Sequence, residues 1–503
     1  MTNPGKGPRE SWGVIKRFLL GGFLIVAVTA GAVASAVLLE VKDAANAFER
    51  FQTALPGDVE GALDNVDPGQ PQTIMLLGSD QRFADIKQKN PSRSDTIILV
   101  RLDPDKDATA VMSLPRDLKV EIPTKNGIVT DKINAAYSIG GPSMTVKTVR
   151  RLLGIPIHHV VNVNFGGFRR MVNRLGCFYQ DVDRTYFNDN QPPNGSAYPY
   201  ATIDVKAGYQ LMCGQDSLDW ARYRHFDDDF VRAARQQEFI RQAKEQVSVS
   251  SIFSDREELL EIFGRYTQTD IKGQNAILRL LKLAYESSQN PIREVRFRAG
   301  QNAGDTFVTI TEDNLAKTVR EFTAVKASTG GRQTREGGSS GGGTRKQSRQ
   351  KKKGLAPGLI QDKVGGEDHT LDLAVKAGFP VYYPKARLNR GGYASDSPRR
   401  YTLKTRNGRK YPAYRIVLKY GNDIGQYYGV QGLKWRNPPI LDEAHDTQKL
   451  RGRTYRVYYD GNRIRMVAWK TPTGSYWVSN TLSQRLTNRQ MLDIAKYLTR
   501  VGL

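Results

Sequence analysis

Cysteine and histidine are scarce in this chain, and their scarcity limits its metal chemistry. The 503 residues include two cysteines and five histidines, and no His/Cys cluster suggests a zinc site. No zinc finger, no helix-turn-helix with basic reading residues and no internal repeat is recognisable. The sequence therefore does not predict a zinc site, a DNA-reading module or a repeat protein.

Acidic residues are too few to balance the basic ones. Seventy-five Lys and Arg residues against 51 Asp and Glu residues give a formal net charge of +24. A field of this sign attracts polyanions of any chemistry, including nucleic acid, anionic lipid and phosphate-bearing polymers. Which of these partners is relevant depends on the predicted location of the chain.

One long segment without charge lies near the amino terminus. Residues 18–39 carry no charged side chain, and at about 1.5 Å per residue a helix of this length crosses a bilayer core of about 30 Å. Basic residues precede the segment and mixed charges follow it, which predicts a cytoplasmic amino terminus and an extracytoplasmic bulk. The alternative is a cleavable signal peptide, because Ala34-Ser35-Ala36 resembles a cleavage site. Either interpretation exports most of the chain and argues against nucleic acid as a partner.

The only two cysteines, Cys177 and Cys213, lie in the exported part. Because thiols oxidise in such compartments, we expect them to form one disulfide. In the chain-entropy description this bond would contribute roughly 4 kcal/mol to stability. Two buried free thiols are the alternative.

Composition divides the chain into a cytoplasmic tail (1–17), a transmembrane helix (18–39), an extracytoplasmic stalk (40–72), a first domain (73–326), a flexible basic Gly/Ser linker (327–366) and a second domain (367–503). In the first domain, short β-rich runs at 73–77, 96–102, 109–114 and 157–163 alternate with helical spacing at 142–153, 165–175 and 230–240. This mixture indicates an α/β or α+β domain, and we expect the α/β arrangement of a mixed sheet flanked by helices.

The second domain is predicted to be a smaller, strand-rich α+β unit of unknown role. Asn407-Gly408 and Asp460-Gly461, each flanked by alternating strand-like residues, indicate two hairpins. A helix near 488–500 is expected to end the chain. The many Tyr and Trp residues are compatible with a sugar-stacking platform or with packing inside a sheet.

Polar residues flank the first strands of the α/β domain. If these strands run up, down and up, then Asp80, Arg93, Asp95 and Arg116 meet at one end of the sheet. Paired aspartates at strand ends suit Mg²⁺ or Mn²⁺, which bind substrate phosphates through one or two carboxylates. Lys132 follows a likely strand and would add a point charge there. Loop capping is the alternative role for each aspartate.

Four arginines crowd into fourteen residues: Arg222, Arg224, Arg232 and Arg235. Guanidinium groups repel one another and pair with phosphate oxygens, so this crowding predicts a ligand of pyrophosphate size. In a helix, Arg232, Arg235 and Gln236 fall on one face. The alternative is a solvated helix face whose arginines pair with the acidic residues at 227–229.

Taken in order, these motifs resemble the LytR-CpsA-Psr family of membrane-anchored enzymes that attach glycopolymers to peptidoglycan. The resemblance covers about residues 73–246, and the Tyr/Trp-rich tail is similar to tails of actinobacterial members. The motifs that carry it are Gly78-Ser79-Asp80, Arg93-Ser94-Asp95-Thr96, Ser113-Leu114-Pro115-Arg116-Asp117, Lys132-Ile133-Asn134-Ala135-Ala136-Tyr137, and Arg222-Tyr223-Arg224 through Arg232-Ala233-Ala234-Arg235-Gln236-Gln237.

The resemblance implies that Asp80 and Asp95 bind Mg²⁺ or Mn²⁺ and act with Arg116 in catalysis. It also implies a set of residues around the pyrophosphate of a polyprenyl-linked glycopolymer: Arg93, Arg116, Lys132, Arg222, Arg224, Arg232 and Gln236. The implied reaction moves the glycopolymer onto peptidoglycan through a phosphodiester bond. The general base stays open among Asp80, Asp95 and Asp117. A non-catalytic protein that binds acidic glycans or the cell wall is the alternative.

Overall fold

The computed structural model describes residues 59–67, 70–79, 94–103, 105–106, 109–191, 201–223, 229–247, 256–272, 292–300, 305–324, 354–421, 425–442 and 444–502, together with residues 55 and 227. The predicted transmembrane segment, 18–39, lies outside these residues. Within them, no helix combines the length and the apolar composition needed to cross a membrane.

A six-stranded mixed sheet lies at the centre of the first domain. The strands of this domain are β1 (Gln72–Ser79), β2 (Ser94–Leu102), β3 (Thr109–Leu114), β4 (Lys119–Thr124), β5 (Gly127–Lys132), β6 (His159–Asn164), β7 (Phe178–Val182), β8 (Tyr186–Asn188), β9 (Ile203–Val205), β10 (Gly208–Met212), β11 (Thr267–Thr269) and β12 (Ile292–Glu294). In the central sheet they follow the order β11-β6-β1-β2-β3-β12. The pairs β1–β2 and β2–β3 are antiparallel, and β1–β6 is parallel. The α/β prediction and the up-down-up course are confirmed.

Helices pack around this sheet. They are α1 (Ala135–Leu153), α2 (Phe165–Arg174), α3 (Gly214–Arg222), α4 (Asp229–Gln246), α5 (Arg256–Tyr266) and α6 (Glu312–Thr323). Helix α1 begins before the predicted start at residue 142. The bend at Gly140 and Gly141, just before Pro142, interrupts the helical spacing on which the prediction rests. Gly141 has a φ of 63°, which glycine adopts without the strain that a Cβ would cause. The sequence spacing thus detected only the part of α1 that follows the bend.

The core of the first domain lies between the sheet and α1. Met75, Leu99 and Met112 are fully buried on neighbouring strands, and they belong to the same apolar cluster as Val146 and Val149 of α1. Burial of a large aliphatic side chain contributes about 1.5–3 kcal/mol. This packing therefore fixes the sheet on which the candidate site is built.

The second domain contains a seven-stranded antiparallel sheet and two two-stranded sheets. The strands of this domain are β13 (Leu359–Gln361), β14 (Tyr382–Pro384), β15 (Ala386–Leu388), β16 (Arg399–Lys404), β17 (Lys410–Lys419), β18 (Tyr427–Leu433), β19 (Asp446–Leu450), β20 (Arg453–Asp460), β21 (Arg463–Thr471), β22 (Gly474–Ser479) and β23 (Leu498–Arg500). Two helices, α7 (Lys363–Ala377) and α8 (Asn488–Lys496), accompany them. The large sheet has the order β16-β17-β18-β22-β21-β20-β19. The strand-rich α+β prediction is confirmed.

Both predicted hairpins are present in this sheet. Gly408 lies in the turn between β16 and β17, and Gly461 lies in the turn between β20 and β21. Their φ values of 77° and 58° explain why glycine occupies these positions. The predicted final helix ends at Lys496, because residues 498–500 pair as β23 with β14. Ordered structure starts before 367: β13 and the first turn of α7 lie within 327–366.

Most aromatic residues of the second domain pack inside it. Tyr428, Trp469, Tyr476 and Trp477 are at most 1% exposed, and Trp469 stacks on Tyr476 with ring centroids 5.1 Å apart. Side chains this inaccessible cannot offer a stacking surface to a sugar. The packing interpretation therefore applies to these four residues.

The large sheet of the second domain packs against the antiparallel ribbon β7–β10 of the first. Cys177 and Cys213, which flank this ribbon, form the expected disulfide. From β7, Asp181 accepts hydrogen bonds from Nη1 of Arg415 at 3.2 Å and from Nε1 of Trp477 at 3.0 Å. Tyr209 of β10 contacts Trp477 edge to face, with ring centroids 5.4 Å apart. A buried ion pair and aromatic packing thus join the two domains.

We expect Arg415→Met to lower the free energy of unfolding by about 3 kcal/mol, because it leaves the Asp181 carboxylate buried without its cation. Urea denaturation measures the change. Arg400→Met is the matched control: it removes an exposed arginine from the neighbouring strand β16 and should cost less than about 0.5 kcal/mol. Equal effects of the two substitutions would contradict the structural role of the pair.

Candidate functional site

The ends of four strands meet at one edge of the central sheet, which we term the strand-end edge. Ser79, the last residue of β1, lies opposite Asn164, the last residue of β6, and opposite Ser94 at the start of β2. Leu114 ends β3 and pairs with Ile97 of β2. The register therefore places the beginning of β2 and the segments that follow β1, β3 and β6 side by side.

Some of the predicted site residues cannot be located at this edge. Asp80, Arg93 and Arg224 lie outside the described residues, and Asp95 lies in β2 without a described side chain. Within the described ranges, no group of three or more His, Cys, Asp or Glu side chains could hold a metal ion. The metal site at Asp80 and Asp95 stays a prediction.

Helix α4 covers the strand-end edge and brings Gln236 to it. The Nε2 atom of Gln236 donates hydrogen bonds to Oγ1 of Thr96 at 3.0 Å and to the carbonyl oxygen of Ala221 at 3.2 Å. Arg232 lies one turn earlier on the same helix face and is 5% exposed. The structure therefore places Gln236 over the start of β2, with Arg232 one turn away along α4. The sequence motif Arg93-Ser94-Asp95-Thr96 includes Thr96, but the sequence by itself indicates no role for this residue.

Arg222, at the end of α3, lies near the same edge. Its guanidinium group stacks over the ring of Phe165, with 5.5 Å to the ring centroid, and Phe165 directly follows β6. Two of its nitrogens donate to one carboxylate oxygen of Asp219, at 3.0 and 2.6 Å. These contacts orient the guanidinium group, while a 24% exposed side chain remains accessible to a ligand.

Two further predicted cations, Arg116 and Lys132, share a carboxylate. Asp117 lies 3.6 Å from Nε of Arg116 and 3.1 Å from Nζ of Lys132. Because Arg116 follows β3 by two residues and Lys132 ends β5, this ion pair joins two separate strand ends. The cations are thereby held together at the margin of the strand-end edge. The carboxylate of Asp117, one of the three candidate general bases, thus faces two cations.

Arg235 pairs with one of the acidic residues at 227–229, as the alternative interpretation expects, but inside the protein rather than on a solvated helix face. The residue is fully buried, and its Nη1 lies 2.5 Å from Asp227. The other oxygen of Asp227 lies 2.5 Å from Nη2 of Arg184. Part of the arginine crowding is therefore neutralised by a carboxylate of the protein itself. Sequence reasoning missed Arg184 because it lies 43 residues from Asp227, and no local pattern links the two.

Aromatic rings complete this buried cluster. The guanidinium carbon of Arg184 lies 4.2 Å from the ring centroid of Tyr186 and 5.2 Å from that of Tyr223. Arg235 contacts the same two rings at 4.7 and 5.7 Å. Cation–π contacts of this kind stabilise cations that are removed from water. The cluster therefore anchors the start of α4, and hence the position of Arg232 and Gln236.

Comparison with known proteins identifies the family of this chain. The model of the LytR_cpsA_psr family matches residues 37–323. The chain belongs to this family. The match includes the strand-end edge and α4 and ends before the second domain. The predicted resemblance to LytR-CpsA-Psr proteins is therefore confirmed.

The match to individual relatives covers about half of this chain. An uncharacterised protein of Staphylococcus aureus is 30% identical over 263 residues, which cover 51% of this chain and 62% of the relative. A protein of Enterococcus faecalis named polyisoprenyl-teichoic acid–peptidoglycan teichoic acid transferase TagU is 26% identical over 262 residues, 51% of this chain and 80% of the relative. A crystal structure of B. subtilis TagV is 25% identical, with a TM-score of 0.40, and covers 51% of this chain and 98% of that one.

We expect Asp227→Asn to lower the free energy of unfolding by about 3 kcal/mol or more, because two buried guanidinium groups lose their common anion. Thermal or urea denaturation tests this value. Asp219→Asn is the matched control, since its partner Arg222 is partly exposed, and we expect a loss below about 1 kcal/mol. A small effect at both positions would mean that the buried cluster does not anchor α4.

Proposed function

We propose that this protein is a membrane-anchored, extracytoplasmic phosphotransferase. It moves a glycopolymer from a polyprenyl-pyrophosphate carrier onto peptidoglycan and leaves a phosphodiester bond. One observation carries the proposal: α4, anchored by Asp227, holds Gln236 against Thr96 at the strand-end edge, and Arg232 lies one turn earlier on the same helix. Membership of the LytR-CpsA-Psr family and the name of the enterococcal relative support the same activity.

The proposed reaction exchanges one phosphorus–oxygen bond for another. A sugar hydroxyl of peptidoglycan attacks the phosphorus that bears the glycopolymer and loses its proton. The bond from that phosphorus to the bridging oxygen breaks, and polyprenyl phosphate leaves with the bonding electrons. The pyrophosphate bond supplies the driving force, so no nucleotide is required.

The basic residues of the site act electrostatically in this scheme. Arg116, Lys132, Arg222 and Arg232 bind the oxygens of the pyrophosphate and neutralise the charge that develops on the bridging oxygen. Asp219 and Asp117 hold three of these cations, Arg222, Arg116 and Lys132, in place. Because such donors are already oriented, little reorganisation is needed as the bond breaks. The residue that accepts the hydroxyl proton is not assigned, and the candidates are Asp80, Asp95 and Asp117.

We further propose that Asp80 and Asp95 hold Mg²⁺ or Mn²⁺. Carboxylate oxygens are the ligands these ions prefer, and the register places the Asp95 position beside the end of β1, which Asp80 follows in sequence. When bound, the ion would add positive charge at the pyrophosphate. Arg93 and Arg224 belong to the same proposed binding set.

The proposed location follows from the sequence around residues 18–39. A single-pass helix with a cytoplasmic amino terminus would keep the enzyme beside its lipid-linked donor, with the bulk of the chain outside the membrane. The net charge of +24 favours an anionic membrane surface and an anionic polymer as partners. Nucleic acid is not among the proposed partners.

Phosphorus NMR on the full chain in detergent tests the activity. With a short polyprenyl-pyrophosphate glycan, peptidoglycan fragments and Mg²⁺, we expect pyrophosphate resonances to convert into those of a phosphodiester and polyprenyl phosphate. Chelation of the metal or Asp95→Asn should slow conversion at least about 100-fold, whereas Asp204→Asn, an exposed position on β9, should not. Tight donor binding with no conversion in any of these would instead indicate a non-catalytic wall-binding protein.

Arg222→Ala should lower kcat/KM for the donor about 100-fold, since it removes a charge-assisted contact with the pyrophosphate. Steady-state kinetics with varied donor measure the change. Arg169→Ala is the matched control, because Arg169 is an exposed arginine of α2 and should leave kcat/KM unaltered. If the two variants behave alike, Arg222 serves only to pair with Asp219.

A further inference from the structure

A cavity of about 440 Å³ lies between the two domains. From the first domain, Ser113 and Pro115 at the end of β3, one side of α4 and the segment 294–298 contribute to its walls. The turn between β20 and β21 and the segment 482–485 contribute from the second domain. Because Arg116 directly follows Pro115, the cavity begins one residue away from the proposed pyrophosphate site.

Contacts between the domains hold these walls in place. Arg465 of β21 pairs with Glu245 of α4 at 3.0 Å. The turn at Gly461 packs so closely on Arg293 that a Cβ at this glycine would lie 3.0 Å from a guanidinium nitrogen. The family match ends at residue 323, so one wall of the cavity comes from a part of the chain that the family domain does not include.

The lining of the cavity combines polar and charged side chains with apolar ones such as Phe230 and Phe297. Ser113 and Gln237 are buried in the wall of the first domain, and Ser483 of the second domain is half-buried. Arg463 and Arg485 are exposed at the rim. In the part of the chain that the structure describes, neither guanidinium group has a hydrogen-bond or ion-pair partner. Hydroxyl and amide groups in the wall, apolar side chains beside them and the two unpaired cations match a hydroxyl-rich ligand with attached anions.

One acid in the wall adds a further hydrogen-bonding group. Removal from water raises the pKa of Glu294, and the neighbouring Asp460 raises it as well. Glu294 therefore keeps its proton to higher pH than an exposed glutamate does. A protonated carboxyl group can donate a hydrogen bond to a sugar oxygen, which a carboxylate cannot.

We propose that this interdomain cavity binds the acceptor glycan, an oligosaccharide that carries carboxylates. The proposal rests on the transfer reaction proposed above. An in-line displacement needs the attacking hydroxyl on the side of the phosphorus opposite the leaving group, so the acceptor requires a site beside the pyrophosphate residues and separate from the lipid carrier. The cavity is adjacent to Arg116 and has the chemistry of a saccharide site. The second domain thus serves to position the acceptor.

Kinetics of the full chain with both rim arginines replaced test the proposal. In the double variant Arg463→Ala/Arg485→Ala, we expect the KM for a peptidoglycan fragment to rise at least about tenfold, because two charge-assisted contacts are lost. The KM for the lipid-linked donor and kcat should stay within about twofold of the parent values. Arg489→Ala, an exposed arginine of α8 that hydrogen-bonds Gly354, is the matched control. An unchanged KM for the acceptor, or a rise confined to the donor, would overturn the proposal.

Direct binding separates this proposal from the proposed activity. A soluble disaccharide-peptide fragment of peptidoglycan, titrated into the full chain and followed by ligand-observed NMR, should bind the parent protein and lose at least about tenfold in affinity with the double variant. The same fragment with amidated carboxylates should also bind more weakly. If binding depends on the rim arginines but no transfer occurs, the result supports the acceptor site and contradicts the proposed transfer reaction. If transfer occurs but binding does not depend on the rim arginines, the result contradicts the proposed acceptor site.

A second variant fills the cavity without changing its charge. Ala233 lies in the α4 wall and is partly exposed, so Ala233→Phe should occupy space that the saccharide needs. We expect lower acceptor affinity with unaltered donor affinity and an unaltered melting temperature. Normal acceptor affinity in a folded Ala233→Phe protein would exclude the cavity as the acceptor site.

Discussion

One buried carboxylate, that of Asp181, constrains how the two domains fit together. A charge removed from water is tolerated only where partners replace its hydration, and here these partners are the Arg415 guanidinium and the Trp477 indole of the other domain. Arg415 is itself fully buried. A shift of the second sheet along the β7–β10 ribbon would separate the ion pair and leave both charges unpaired. The contact therefore selects one relative placement of the domains.

Helix α4 links the relative placement of the two domains to the candidate site. At one end of this helix, Asp227 and its two arginines fix where the helix begins. Further along, Gln236 bonds to the central sheet, and near the other end Glu245 pairs with Arg465 of the second domain. The same helix thus forms part of the strand-end edge, part of the domain interface and one wall of the cavity. Site geometry and domain docking are consequently not independent.

Local patterns predicted the parts of the fold that have local causes. Strands 73–77 and 109–114 and the turn glycines Gly408 and Gly461 all follow from alternation and backbone freedom within a few residues. The bend at Gly141 and the final strand β23 were not predicted. A helical period does not indicate a break within the helix, and it does not indicate a distant pairing partner. The pair Asp181–Arg415 spans 234 residues, and neither residue has a neighbouring pattern that indicates the other. Such long-range ion pairs become visible only once the chain is folded.

The arginines show how burial separates two roles that sequence could not distinguish. A phosphate cannot reach a guanidinium group that is fully buried and already paired with a carboxylate of the protein. Arg235 is fully buried and is held by Asp227, whereas Arg222 keeps 24% of its side chain exposed while Asp219 orients it. Both lie in one short segment and have carboxylate partners, so a partner by itself does not reveal the role. Accessibility does, and it assigns Arg235 to the fold and leaves Arg222 available to a pyrophosphate.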